Sequence, residues 1–119
     1  MLERAGPLRR VMIGDFGPVA LMGLRRLLAE EGHEVLGAAE TRQEIIPRLG
    51  EVQPDVVLLD LDTEDAAALA ARISTAFPTV QVIACSSDEP IMRVFPRFHH
   101  GESYSSPFTR ALFAAALKN

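Results

Sequence analysis

The sequence predicts a doubly wound α/β fold: one domain with a five-stranded parallel sheet and helices on both faces. Three observations lead there. Asp55-Val56-Val57-Leu58-Leu59-Asp60 is an apolar run without alternation that ends on a carboxylate, the pattern of a parallel strand covered on both faces. Short apolar runs of this kind alternate along the chain with stretches of helical periodicity, which calls for right-handed crossovers in a layered sheet. The 119 residues, 48% hydrophobic and 24% charged, suffice for one core of ordinary size and not for two.

Taken in order, residues 1–9 contain Gly6 and Pro7, show no periodicity and read as a flexible lead-in to a domain over 10–119. The first strand covers 10–14, with Val11, Met12 and Ile13 apolar, and ends at Asp15. Pro18 suits the first turn of a helix, where its missing N–H is no loss, and Leu21, Leu24, Leu27 and Leu28 form the apolar stripe of that helix up to Gly32. The second strand is 34–39. Thr41 and Glu44 have the spacing of a capping box at the start of a second helix, which Pro47, lying beyond the first turn, is expected to shorten or bend.

The third strand is the run ending at Asp60. Residues 63–76 are alanine-rich and helical, and 80–84 form a fourth strand that leads into Cys85 and Ser86. Residues 88–100 are assigned to a fourth helix distorted by Pro96, 102–105 to a weak fifth strand, and 107–117 to an amphipathic helix carrying Leu112, Phe113 and Leu117. Five strands alternating with five helices fit the flavodoxin-like order 2-1-3-4-5. In that order strands one and three are neighbours. Asp15 and Asp60 then meet at the carboxyl ends of the strands, where ligands and chemistry collect, with Ser86 beside Asp60.

A net charge of -4 and a pI near 5.3 disfavour nucleic-acid and anionic-membrane surfaces and point to protein partners. The single cysteine, Cys85, cannot form an internal disulfide and reads as a small buried hydrophobe in a reducing cytoplasm. The first ten residues hold no apolar stretch of signal-peptide length, and nowhere do 18 apolar residues run together, so the reading is a soluble, cytoplasmic protein. Lys118 is the only lysine.

Three stretches together resemble the receiver domain of two-component response regulators, in the branch that usually carries a C-terminal helix-turn-helix. They are Ile13-Gly14-Asp15-Phe16-Gly17-Pro18 with the helix that follows, Pro54 through Leu61, and Ser106-Pro107-Phe108-Thr109. The resemblance covers almost the whole chain. It implies that Asp60 is the phosphoacceptor position, Asp15 the first member of the acidic pair, Ser86 the switch hydroxyl and Tyr104 the aromatic that moves with it.

Against that pattern, Phe16 stands where a second carboxylate would contact Mg2+. A carboxylate attacks a phosphoryl group only when developing charge is neutralised, and magnesium needs oxygen ligands that a benzyl group lacks. The lysine that would pair with the phosphoryl group falls at Ser106, or at Pro107 if aligned on Tyr104; Lys118 is too far along the chain, and the nearest cation is Arg110. The loop Leu61-Asp62-Thr63-Glu64-Asp65 is shorter than the family's and lacks its proline and glycine.

These departures give an atypical, or pseudo-receiver: a signalling module, not an enzyme, that acts through protein contacts and has no resident cofactor, Mg2+ being the one ion its pocket would take. The resemblance places partner contacts (a kinase, an effector domain or another regulator) and homodimerisation on the fourth helix, fifth strand and fifth helix, where Phe95, Phe98 and Tyr104 either dock partners or fill the core. No nucleic acid or membrane is expected to bind this chain alone. Two alternatives stand beside this reading: a receiver that phosphorylates Asp60 with weak Mg2+ binding, and a small-molecule sensor with a pocket around Asp15, Phe16, Asp60 and Ser86. Asp62, Glu64 and Asp65 are either a solvated loop or a rebuilt metal site, and Phe16 either fills the metal's space or anchors a partner. His99-His100 are adjacent on a predicted helix and point apart, which does not suit a metal pair.

Overall fold

A computed structural model describes residues 8–99 and 101–118. Strand β1 (Arg10–Ile13) leads into α1 (Pro18–Glu30), β2 (Glu34–Ala38), a 3-10 turn at Arg42–Glu44 and α2 (Ile45–Val52). Then follow β3 (Val56–Asp60), α3 (Ala66–Ala76), β4 (Gln81–Cys85), β5 (Ile91–Phe95), a 3-10 turn at Arg97–His99, β6 (Tyr104–Pro107) and α4 (Arg110–Leu117). The sheet order is β2-β1-β3-β4-β5-β6. The first four strands in that order pair in parallel, β5 runs antiparallel to β4, and β6 runs antiparallel to β5.

The doubly wound reading holds. Val11, Ile13, Val56, Leu58, Ile83, Cys85, Met92 and Val94 pack on one face against Leu24 and Leu28 of α1 and Phe113, Ala116 and Leu117 of α4. Met12, Val57, Leu59, Val82, Ala84 and Phe95 pack on the other against Ile45 and Leu49 of α2 and Leu69, Ala70 and Ile73 of α3. Val56 to Leu59 are at most 2% exposed, as a strand without alternation requires.

The C-terminal third differs from expectation. Among the described residues the predicted fourth helix at 88–100 does not form, and its place is taken by β5, so the sheet described has six strands, not five, and is mixed, not purely parallel. The reason is local. Met92 and Val94 are buried in the core while Ile91 and Arg93 are exposed, a period of two, and Pro90 and Pro96 fall just outside the strand, where they remove no ladder hydrogen bond. The weak fifth strand becomes β6, at the sheet edge as in the predicted order but separated from β4 by β5.

Smaller differences have similar causes. The Glu44 carboxylate accepts the N–H groups of Glu40 and Thr41 at 2.8 and 3.0 Å, as the capping-box spacing implies, but the turn it starts is 3-10. The α-helix begins only at Ile45. Pro47 therefore sits in its first turn, where no N–H is needed, and the helix is short without having to break there. Arg9, assigned to the lead-in, is tied to the fold: its N–H donates to His33 Nδ1, and its guanidinium caps the carbonyls of Leu117 and Lys118. Residues 1–7 lie outside those described. Among the described residues no helix is long and apolar enough to cross a membrane.

Gly14 fixes how closely β1 and β3 approach beneath the two aspartates. Its N–H donates to Leu58 O at 2.7 Å, and a Cβ at this position would stand 2.9 Å from that same backbone oxygen. Gly14→Ala is expected to lower stability by about 1–3 kcal/mol, the usual cost of overpacking, measurable by urea denaturation.

Candidate functional site

The loops after β1, β3 and β4 meet at the carboxyl ends of the strands. Ile13 pairs with Leu58 and Asp60 with Cys85, which sets the Asp15 and Ser86 loops on either side of Asp60. The structure thus brings together Asp15, Asp60 and Ser86, as the strand order implied. It does not bring Tyr104 to them. Tyr104 lies on edge strand β6 opposite Val94 and is 43% exposed, and β5 stands between its strand and β4.

The centre of the site is a residue that the sequence did not single out from its acidic neighbours. The Asp62 carboxylate accepts the Ser86 hydroxyl at 2.6 Å on Oδ1 and the Ser87 and Asp88 N–H groups at 2.7 and 3.3 Å on Oδ2. The Ser86 oxygen in turn accepts N–H groups from Asp88 and Glu89 at 3.1 and 3.0 Å. The turn is closed by the Ser86 N–H donating to Ile91 O at 3.0 Å. The Asp62 N–H donates to Asp60 Oδ1 at 2.9 Å. One carboxylate thus knots the β3–α3 loop to the β4–β5 turn.

A second unforeseen residue secures the same loop from the other side. The Arg42 guanidinium donates to the carbonyls of Glu64 and Asp65 at 2.6 and 3.1 Å, and the Thr63 hydroxyl donates to Asp60 O at 2.8 Å. Asp65 takes a left-handed conformation, φ 60°, to start α3 from so short a loop.

Electrostatics separate the two central aspartates. Burial pushes the Asp60 carboxyl above its ordinary range, and the charges of Asp62, Asp15 and Asp88 add to that; only the Asp62 N–H acts the other way. Asp62 is lowered, chiefly by the Ser86 hydroxyl and then by the N–H groups of Ser87 and Asp88. Cys85, buried beside Asp60, is pushed up to about 12 and remains a thiol.

Among the described residues no cation forms an ion pair with Asp60: Arg110 pairs with Glu30 and Glu31, at 3.1 and 3.6 Å. Ser106, at the lysine position, pairs with Met92 on the edge strand, and Pro107 with Ile91. Phe16 packs against the α1/α4 core face and adds no oxygen to the site. Among the described residues no three His, Cys, Asp or Glu side chains are grouped to hold a metal.

Of the aromatics assigned to the partner face, Phe95 is buried in the core, whereas Phe98 is 54% exposed. The fourth helix of that face does not exist, so the corresponding surface is made by β5, β6 and α4. His100 lies outside the described residues, and His99 ends the 3-10 turn at Arg97–His99.

No protein-family profile matches the chain. The response regulator GacA of Pseudomonas viridiflava is 31% identical over 85 residues, 66% of this chain and 40% of GacA. The chemotaxis protein CheY of Thermotoga maritima is 28% identical over 81 residues, 66% of this chain and 68% of CheY. Among solved structures, the chain is similar to the anti-anti-sigma factor PhyR of Bartonella quintana, solved in complex with the anti-sigma factor NepR. The TM-score is 0.57 at 26% identity, covering 92% of this chain and 47% of PhyR. The chain spans less than half the length of GacA.

Asp62→Ala is expected to cost about 1 kcal/mol at neutral pH, discounted for solvent exposure, and to speed amide exchange at Ser87 and Asp88. Because the Asp62 pKa is lowered in the folded chain, its contribution is present above the ordinary carboxylate range and is lost as pH falls through the lowered value. Asp60 has the opposite sign: its raised pKa contributes stability below the ordinary range, lost as pH rises through the raised value. Asp60→Asn should therefore stabilise the chain at neutral pH, by less than about 1 kcal/mol, and not at acid pH, as read from denaturation at both.

Proposed function

We propose that this chain is a receiver domain of the response-regulator kind, and an atypical one that signals through protein contacts without aspartyl phosphorylation; its similarity to GacA and CheY supports the first part. The observation that carries this reading is the 2.6 Å hydrogen bond from Ser86 to Asp62. In the resemblance, Ser86 is the hydroxyl that answers a phosphoryl group on Asp60. Here an internal carboxylate has already engaged it, along with the N–H groups of the following turn. Asp62 supplies permanently the anion that phosphorylation would supply on demand.

The rest of the site supports the same reading. Phosphoryl transfer to Asp60 needs cations to neutralise the developing charge, and Asp60 instead has three acidic neighbours and, among the described residues, no ion-pair partner. Magnesium does not fit the donors present, since Phe16 offers none and Asp62 is committed to the β4–β5 turn. We propose that the site holds no resident metal.

Signalling then depends on a partner that selects or shifts the latched conformation. The complex of PhyR with NepR supports a protein as that partner. The surface proposed for it, and for homodimer contact, is the β5–β6 edge with α4, where Tyr104 and Leu112 are exposed.

An amide-detected NMR titration with Mg2+ and beryllofluoride, a mimic of the aspartyl phosphate, tests this reading. Spectra unchanged at millimolar Mg2+ are expected. Saturable shifts at Asp60 and Ser86, or acetyl-phosphate-dependent modification of Asp60, would overturn it. Phe16→Asp, which restores an oxygen donor beside Asp15, is expected to gain measurable Mg2+ binding in the same titration.

A further inference from the structure

Beside the Asp62 knot, on the α1/α4 side of the sheet, a groove of about 560 Å³ opens between the first half of α1 and the β4–β5 turn. Its volume lies within the range of small-molecule sites, roughly 300–1,000 Å³. The two aromatic walls are Phe16 and Phe108. Phe108 is held in place: its N–H donates to Pro90 O at 2.6 Å, and its ring meets Phe113 edge-on at 5.3 Å. Leu27 contributes apolar surface from the helix.

Gly23 keeps the groove open. It lies inside α1, where glycine is less favourable than alanine, yet a Cβ built there meets no atom within 4 Å, so packing does not demand it. The charged residues lining the groove are Asp88 and Glu89, both exposed, and neither forms an ion pair among the described residues. Among the described residues no basic side chain lines it.

We infer that this groove binds a small organic cation: an aromatic ring carrying a protonated amine, with the ring between Phe16 and Phe108 and the amine at Asp88 and Glu89. An apolar body fits the walls, and charge complementarity selects the head group. An organic anion would meet two like charges on the lining and the charges of Asp60 and Asp62 nearby. The inference does not rest on the proposed function, because the groove is present whether or not Asp60 is ever phosphorylated. A ligand here would touch the turn that Asp62 holds, and so would bear on the same loop a partner has to read.

The test is an amide-detected NMR titration of the full chain with tryptamine and with indole-3-acetate, which share a ring and differ in charge. Tryptamine is expected to give saturable shifts at Phe16, Gly23, Ser87 and Phe108, with indole-3-acetate at least about tenfold weaker. Gly23→Leu, which puts a side chain into the groove at a position helices favour, should abolish binding while thermal melting shows the fold intact. Asp88→Asn with Glu89→Gln should weaken tryptamine about tenfold, the value of one charge-assisted contact. Equal binding of the two probes, no shifts with either, or undiminished binding by the folded Gly23→Leu chain would overturn the inference. So would saturation by a basic amphipathic peptide where tryptamine has no effect, which would assign the groove to a protein partner.

Discussion

Strand β3 has no side that faces water, and the rest of the domain follows from covering it. Val57 and Leu59 require α2 and α3 on one face, Val56 and Leu58 require α1 and α4 on the other, and β1 and β4 must flank it to satisfy its backbone. A strand enclosed on both faces and both edges leaves polar side chains only its ends: Asp55 precedes the amino end, where its carboxylate accepts the Arg10 N–H, and the loops converge at the carboxyl end. Asp60 stands there. The site is therefore where the fold stops being able to bury the chain, and its chemistry is decided by whatever the three converging loops bring to that point.

What they bring is more acid than base. In an ordinary site of this geometry a metal and a lysine would balance clustered carboxylates; here the balance comes from backbone N–H groups and a hydroxyl arranged around Asp62. Like-charge repulsion is relieved by separating roles. Asp62 takes the donors and stays ionised, and Asp60, left with one backbone N–H, shifts toward protonation. The arrangement rigidifies the turn after β4 and gives up the cationic surroundings that phosphoryl chemistry would need.

The layered part of the fold was legible because each element announced itself in a single signal: an apolar run for β3 and β4, a leucine stripe for α1, alanine content for α3. The adjacency of Asp15, Asp60 and Ser86 followed from strand order alone. β5 was misread because the alternation of strands and helices outweighed the local pattern. Ile91-Met92-Arg93-Val94-Phe95 alternates and is bracketed by prolines, and a proline inside a supposed helix was a warning in the sequence itself. The Asp62 knot was beyond reach for a different reason. Nothing in Asp62, Glu64 and Asp65 distinguishes one carboxylate from another until the position of the Ser86–Pro90 turn is known, and that turn exists only because β5 is a strand. Arg42 escaped likewise, since its partners are carbonyls 22 and 23 residues away.

The antiparallel strand also changes how the chain has to find its fold. A parallel pair joined through a helix closes a long loop before any strand contact rewards it, and β1 must wait for β3 across α1, β2 and α2. β4, β5 and β6 form a meander in which every pairing is with the next strand in sequence, so the loops to be closed are short and the entropy lost in closing them small. Replacing a helix with a strand has thus lowered the contact order of the C-terminal third. The region that departs most from the expected alternation of strands and helices is the one that depends least on distant parts of the chain to assemble.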